Sequence, residues 1–90
     1  VDNILQNTQL PKRVIIWEIG AGYGGLARIL KFYIPDSCYI LLDLPETLVY
    51  CSYFISYNFP DRKIAYLSDI IDKLDNFEEI TQEYDFILIP

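Results

Sequence analysis

The sequence predicts an α/β domain built on a parallel sheet. Short apolar runs recur at 14–19, 38–42, 63–67 and 84–89, and helix-period segments lie between them. Glycine and proline punctuate the junctions. Strands that alternate with helices must pair in parallel through right-handed crossovers. The chain has 90 residues, enough for one small domain, and its 52% apolar content excludes a disordered tail. It opens at Val1, contains no Met and stops at Pro90 straight after an apolar run, so a piece of a longer protein is expected.

Residues 1–12 are expected to be an approach segment, with Pro11 stopping any helix begun earlier and with Lys12 and Arg13 solvated. Val14-Ile15-Ile16-Trp17-Glu18-Ile19 is an apolar run broken by one acid and closed by Gly20. It reads as a central strand covered on both faces. Gly20 to Gly25 form a tight turn. Leu26, Ile29, Leu30 and Tyr33 then recur at helical spacing, predicting a helix with one buried stripe that ends before Pro35.

Cys38 to Leu42 form a second buried strand ending at Asp43. Pro45 opens a second helix to about Asn58, apolar on nearly all sides, with Leu44 as its cap. Residues 63–67 form a short third strand. Ile70, Ile71, Leu74 and Phe77 suggest a weaker third helix, and residues 84–89 form a fourth strand. Trp17 and Phe86 are expected in the core.

Net charge is −6, and residues 36–90 hold eleven acids against three bases. Such a segment repels a phosphate backbone, which argues against a nucleic-acid partner. With no histidine, the chain can build no His-based metal site, triad or proton shuttle, and no metal is expected. Cys38 and Cys51 lie in apolar surroundings at no metal-ligand spacing, so buried thiols are expected. Asp72, Asp75, Glu78, Glu79 and Glu83 read as a solvated face. No apolar run of about 18 residues and no cleavable signal is visible, so no membrane span and a cytoplasmic location are expected.

Most functional information lies in Glu18-Ile19-Gly20-Ala21-Gly22-Tyr23-Gly24-Gly25. Glycines let the backbone turn sharply and approach a ligand, and the following helix aims its N-terminus at whatever binds there. Gly20-x-Gly22-x-x-Gly25 also fits a dinucleotide fingerprint. Glu18 separates the two. A carboxylate here repels a pyrophosphate but attracts a sulfonium or an ammonium. The alternative role for Glu18 is to cap backbone amides of the turn.

This segment resembles motif I of class I S-adenosylmethionine-dependent methyltransferases. Together with Leu42-Asp43-Leu44-Pro45-Glu46-Thr47 it resembles more narrowly the sugar O-methyltransferases, over roughly residues 14–90. The resemblance implies a Rossmann-like three-layer sandwich with strand order 3-2-1-4. Residues 1–90 would be the N-terminal, cofactor-binding part of that domain, and the fourth strand would be an exposed apolar edge that invites association.

The resemblance also implies site roles. Glu18, Gly20 and Gly22 would line the methionine end of S-adenosylmethionine, with Ala21 and Gly24 in the same turn. Tyr23 would close over the cofactor. Asp43 would hold the ribose hydroxyls, Leu44 would lie against the adenine, and Ser68 and Asp69 would sit near its amine. Asp43 also lies where an acid commonly binds a ribose diol, with an N-cap as its alternative role.

The expected activity is methyl transfer to the oxygen of a sugar hydroxyl, with a small-molecule or saccharide substrate. No catalytic base can be named from these residues. The rival functions are an NAD(P)-dependent oxidoreductase or epimerase and a non-catalytic cofactor-binding module.

Overall fold

A computed structural model describes residues 13–90, so the approach segment expected over 1–12 and the solvated Lys12 lie outside the described residues. The first strand is β1 (Val14–Ile19), followed by helix α1 (Gly25–Tyr33), strand β2 (Ser37–Leu42) and helix α2 (Pro45–Asn58). Strand β3 (Ile64–Tyr66) then leads into a single turn α3 (Leu67–Ile70), a 3-10 helix (Ile71–Asn76), helix α4 (Phe77–Glu83) and strand β4 (Phe86–Ile89). The third helix expected around 70–77 is therefore three short pieces.

The four strands form one all-parallel sheet, as an α/β fold requires, in the order β1-β2-β4-β3. This corrects the expected order 3-2-1-4. The interior positions go to the two strands that are apolar on both faces. Cys38 to Leu41 and Phe86 to Leu88 are all buried. β3 is only three residues long, and β1 carries an acid, so both take edges.

β1 is thus covered on one face only. Ile15, Trp17 and Ile19 are 40%, 55% and 87% exposed, against the expectation of a strand buried on both faces. Trp17 is not core; its ring stacks on Phe77 with centroids 5.7 Å apart. β4 is not an exposed edge, because it lies between β2 and β3. Phe86 is buried as expected.

Each face of the sheet carries an apolar cluster. Tyr39, Leu41, Phe86 and Leu88 meet Ala27 of α1 and Leu48, Cys51 and Ile55 of α2. On the other face Cys38, Ile40, Ala65 and Ile87 meet Ile70 and Ile80. The topology explains this division. The steps β1 to β2 and β2 to β3 run the same way across the sheet, whereas β3 to β4 runs back. Right-handed crossovers then put α1 and α2 on one face and the later helices on the other.

α2 begins as expected, with Leu44 as N-cap and Pro45 in the first turn. Its buried row is Leu48, Cys51 and Ile55, while Val49 is exposed. The buried side of α1 differs from expectation. Ala27 and Lys31 are buried and Leu30 is partly covered, whereas Leu26, Ile29 and Tyr33 face outward. At its start α1 comes close to α2. Gly24 has φ of +100°, and a Cβ on it would lie 3.2 Å from Cys51 Sγ, tight enough that α2 would have to give by a few tenths of an ångström.

The amino edge of the sheet is tied by cations. Arg13, expected to be solvated, is instead largely covered. It donates to the carbonyls of Thr81 (3.2 Å), Gln82 (3.2 Å) and Tyr84 (3.1 Å) and to Asp85 Oδ1 (2.7 Å). Carbonyls at a helix end lack intrahelical donors, and this guanidinium supplies them for α4. Lys31 is 1% exposed, donates to the Ser37 carbonyl and to Ser37 Oγ, and lies over the Phe86 ring. Cys38 and Cys51 are buried free thiols, each pushed up to about 11 chiefly by burial.

Candidate functional site

The site lies at the carboxyl ends of β1 and β2. These strands run side by side from Val14↔Ser37 to Ile19↔Leu42, so the glycine turn leaves the sheet beside Asp43. Gly20 N–H donates to the Leu42 carbonyl at 2.7 Å, which ties the turn to its neighbour. Gly20 and Gly22 have φ of +77° and +61° and nothing within 4 Å of a built Cβ. Here glycine serves backbone conformation and open space, which leaves room for a ligand.

Asp43 is the second component. Its Oδ2 accepts Gly22 N–H at 2.9 Å and its Oδ1 accepts Leu44 N–H at 2.7 Å. These bonds, the one from Gly22 first, hold the carboxyl below its ordinary range. Asp43 is not the helix N-cap, because that position is Leu44. It braces the glycine turn instead. An ionised carboxylate has about four acceptor directions, so two more remain for hydroxyls.

Glu18 is the third. It shares the covered face of β1 with Val14 and Ile16 and is half-buried. Its Oε1 accepts the Tyr39 hydroxyl at 2.7 Å. Among the described residues it accepts no backbone amide of the turn; Asp43 performs that task. Tyr39 is wholly buried, and burial, with the Glu18 hydrogen bond next, pushes its hydroxyl far up. Sequence inspection did not single out Tyr39. The available signal was a hydroxyl in an otherwise aliphatic buried strand, since a buried phenol needs a partner.

The remaining expected residues are placed as follows. Ala21 is buried beneath the turn, and Leu44 is exposed beside it. Tyr23 packs edge-on against Phe54 and, with Gly22, Glu46, Thr47 and Tyr50, lines an open cleft of about 310 Å3. Ser68 lies beyond β4 from this point and lines a separate, mostly apolar cleft of about 270 Å3 with Pro45, Leu48 and Leu88. Asp69 accepts Tyr66 N–H at 2.8 Å at the start of α3. The structure therefore brings together Glu18, the glycine turn, Asp43 and Leu44, and sets Ser68 and Asp69 apart.

This arrangement combines an open backbone turn with two fixed carboxylates. It can attract a cation and accept from hydroxyls. Among the described residues, no three His, Cys, Asp or Glu side chains are grouped to hold a metal ion. No helix among them is long and apolar enough to cross a membrane. Compared with protein-family models, curated proteins and solved structures, the chain matches none.

Proposed function

We propose that the chain is the S-adenosylmethionine-binding part of a Rossmann-like class I methyltransferase, a three-layer α/β domain, acting on the oxygen of a sugar hydroxyl. The observation that carries the proposal is the half-buried Glu18 carboxylate, bound by Tyr39 beside a glycine turn whose amide is already held by Asp43. A carboxylate that braces no turn amide is accounted for by a cationic ligand group. The resident cofactor brings two such groups, an ammonium and a sulfonium.

The donor set fits that cofactor. Glu18 and the backbone of Gly20 and Gly22 would hold its amino-acid end. Asp43 would accept the ribose hydroxyls with its remaining acceptor directions and Leu44 would lie against the adenine, whereas Ser68 and Asp69, beyond β4, take no part in this donor set. When bound, the cofactor supplies an electrophilic methyl carbon. The work left to the protein is alignment, since in-line displacement depends on holding donor and acceptor in register. Bracing of the Gly22 amide by Asp43 and of Glu18 by Tyr39 provides that rigidity. The strand order β1-β2-β4-β3 departs from the family pattern, but the adjacency the site needs is that of β1 and β2, and it is kept.

Calorimetric titration tests the proposal. The chain is expected to bind S-adenosylhomocysteine saturably and to ignore NAD and NADP. Saturable NAD binding without S-adenosylhomocysteine binding favours an oxidoreductase and refutes it. Binding of none of the three refutes it also.

A further inference from the structure

We infer that Tyr39 is a positioning residue for the candidate site: its buried hydroxyl fixes the Glu18 carboxylate to receive the ammonium group of an S-adenosyl ligand. The inference rests on the proposed function and adds to it a residue with no ligand contact of its own.

The geometry comes from strand register. Ile16 pairs with Tyr39 and Glu18 with Leu41, so Tyr39 and Glu18 share one face of the sheet on a diagonal between neighbouring strands. Tyr39 is 0% exposed and belongs to the cluster formed with Cys51, Leu41 and Phe86. A ring packed on an interior strand has little freedom, so its hydroxyl is a fixed point. Glu18, on an edge strand with a flexible side chain, has no such constraint of its own. The 2.7 Å bond from Tyr39 to Oε1 passes that rigidity to the carboxylate. Among the described residues Oε2 has no hydrogen-bond partner, so one oxygen is anchored and the other keeps its acceptor capacity.

A purely structural role would be satisfied more cheaply. A buried phenol needs one acceptor, and a neutral carbonyl or hydroxyl provides it without the desolvation cost of a carboxylate. The pairing of a core tyrosine with an acid at a ligand-facing turn is accounted for when the acid has a second task.

The test compares two ligands by calorimetry. S-adenosylhomocysteine carries the amino-acid group; 5′-methylthioadenosine has the same adenosine and thioether without it. In Tyr39→Phe, affinity for S-adenosylhomocysteine is expected to fall roughly three- to tenfold, with 5′-methylthioadenosine unchanged. Glu18→Gln is expected to weaken S-adenosylhomocysteine at least as much, and adding Tyr39→Phe to it should cost nothing further. Equal losses for both ligands in Tyr39→Phe, or an undiminished effect of Tyr39→Phe in the Glu18→Gln background, would show a packing role and overturn the inference. If Tyr39→Phe does not fold, a Glu18→Gln chain that binds both ligands as the unsubstituted chain does overturns it as well. An unsubstituted chain that binds S-adenosylhomocysteine keeps the methyltransferase proposal standing in each of these cases. An unsubstituted chain that does not bind it removes that proposal and this inference together.

Discussion

Replacing Gly24 by alanine probes how the glycine turn is set against the helices. Gly24 has φ of +100°, where an L side chain is strained at a cost of about 1–3 kcal/mol. Its new Cβ would also lie 3.2 Å from Cys51 Sγ and 3.3 Å from Ile55 Cγ1, both on buried side chains of α2. Overpacking of this kind costs about 1–3 kcal/mol more, so Gly24→Ala should destabilise by roughly 2–6 kcal/mol. Gly22→Ala is the control. Its φ is +61° and nothing lies within 4 Å, so it should cost only the left-handed strain, about 1–2 kcal/mol. Urea unfolding followed by circular dichroism measures both. A double-mutant cycle then isolates the crowding. In a Cys51→Ala background the nearest obstacle is gone, and the cost of Gly24→Ala should shrink by about 1 kcal/mol. If Gly24→Ala costs no more than Gly22→Ala, or if its cost is unchanged in Cys51→Ala, the close approach of α1 to α2 is not what places the turn.

Three other substitutions and one fluorescence measurement give distinct outcomes. Asp43→Ala should lower S-adenosylhomocysteine affinity about tenfold and also lower the apo melting temperature, because the Gly22 and Leu44 amides lose their acceptor. Asp43→Asn keeps one acceptor oxygen and should fall between wild type and Asp43→Ala in both melts and titrations; a full apo melt in Asp43→Ala would refute the bracing role. Lys31 has its amine lowered from 10.5 to about 8, chiefly by burial, so its charged form is penalised in the folded chain and the penalty is relieved as pH rises from 8 toward 10.5. The stability of Lys31→Met relative to wild type should therefore decline by about 1 kcal/mol between pH 7 and pH 9 in urea titrations, and a gap independent of pH would contradict it. Trp17 is the single tryptophan, and on an edge strand its emission should be red-shifted and strongly quenched by acrylamide, whereas a blue-shifted, protected indole would favour β1 in the sheet interior.

Local elements of this fold were more legible in the sequence than their arrangement. The glycine turn, the end of β2 at Asp43 and the helix opened by Pro45 all depend on backbone rules that act within a few residues, and all are found where those rules put them. The position of β1 is different. A run such as Val14 to Ile19 is compatible with an interior or an edge strand, because periodicity does not say which neighbours will be present. The order 3-2-1-4 came from resemblance, not from side chains. The buried face of α1 differs because the helical spacing of Leu26, Ile29, Leu30 and Tyr33 marks a stripe without saying which side neighbouring elements cover, and the fold buries Ala27 and Lys31 instead. Arg13 looked solvated because its partners, Asp36 and Ser37 and then Thr81, Gln82, Tyr84 and Asp85, are distant in sequence. In the site, Glu18 and Asp43 stood out by charge. Tyr39 did not, since its role depends on register across two strands.

The place of β4 has a consequence for how the chain acquires its shape. β4 follows the other three strands in sequence, yet it lies inside the sheet and pairs with both β2 and β3. Until residues 86–89 have left the ribosome, β1 and β2 can pair, but β3 has no strand to join. Arg13 adds a second delay, because four of its acceptors, on Thr81, Gln82, Tyr84 and Asp85, lie 68 to 72 residues downstream. Contacts of such separation are formed late and slow the folding rate. The two halves of the sheet thus join only once residues 86–89 are available, and a chain cut short before Phe86 would have a β1–α1–β2 unit and an orphaned third strand instead of a smaller version of the same domain.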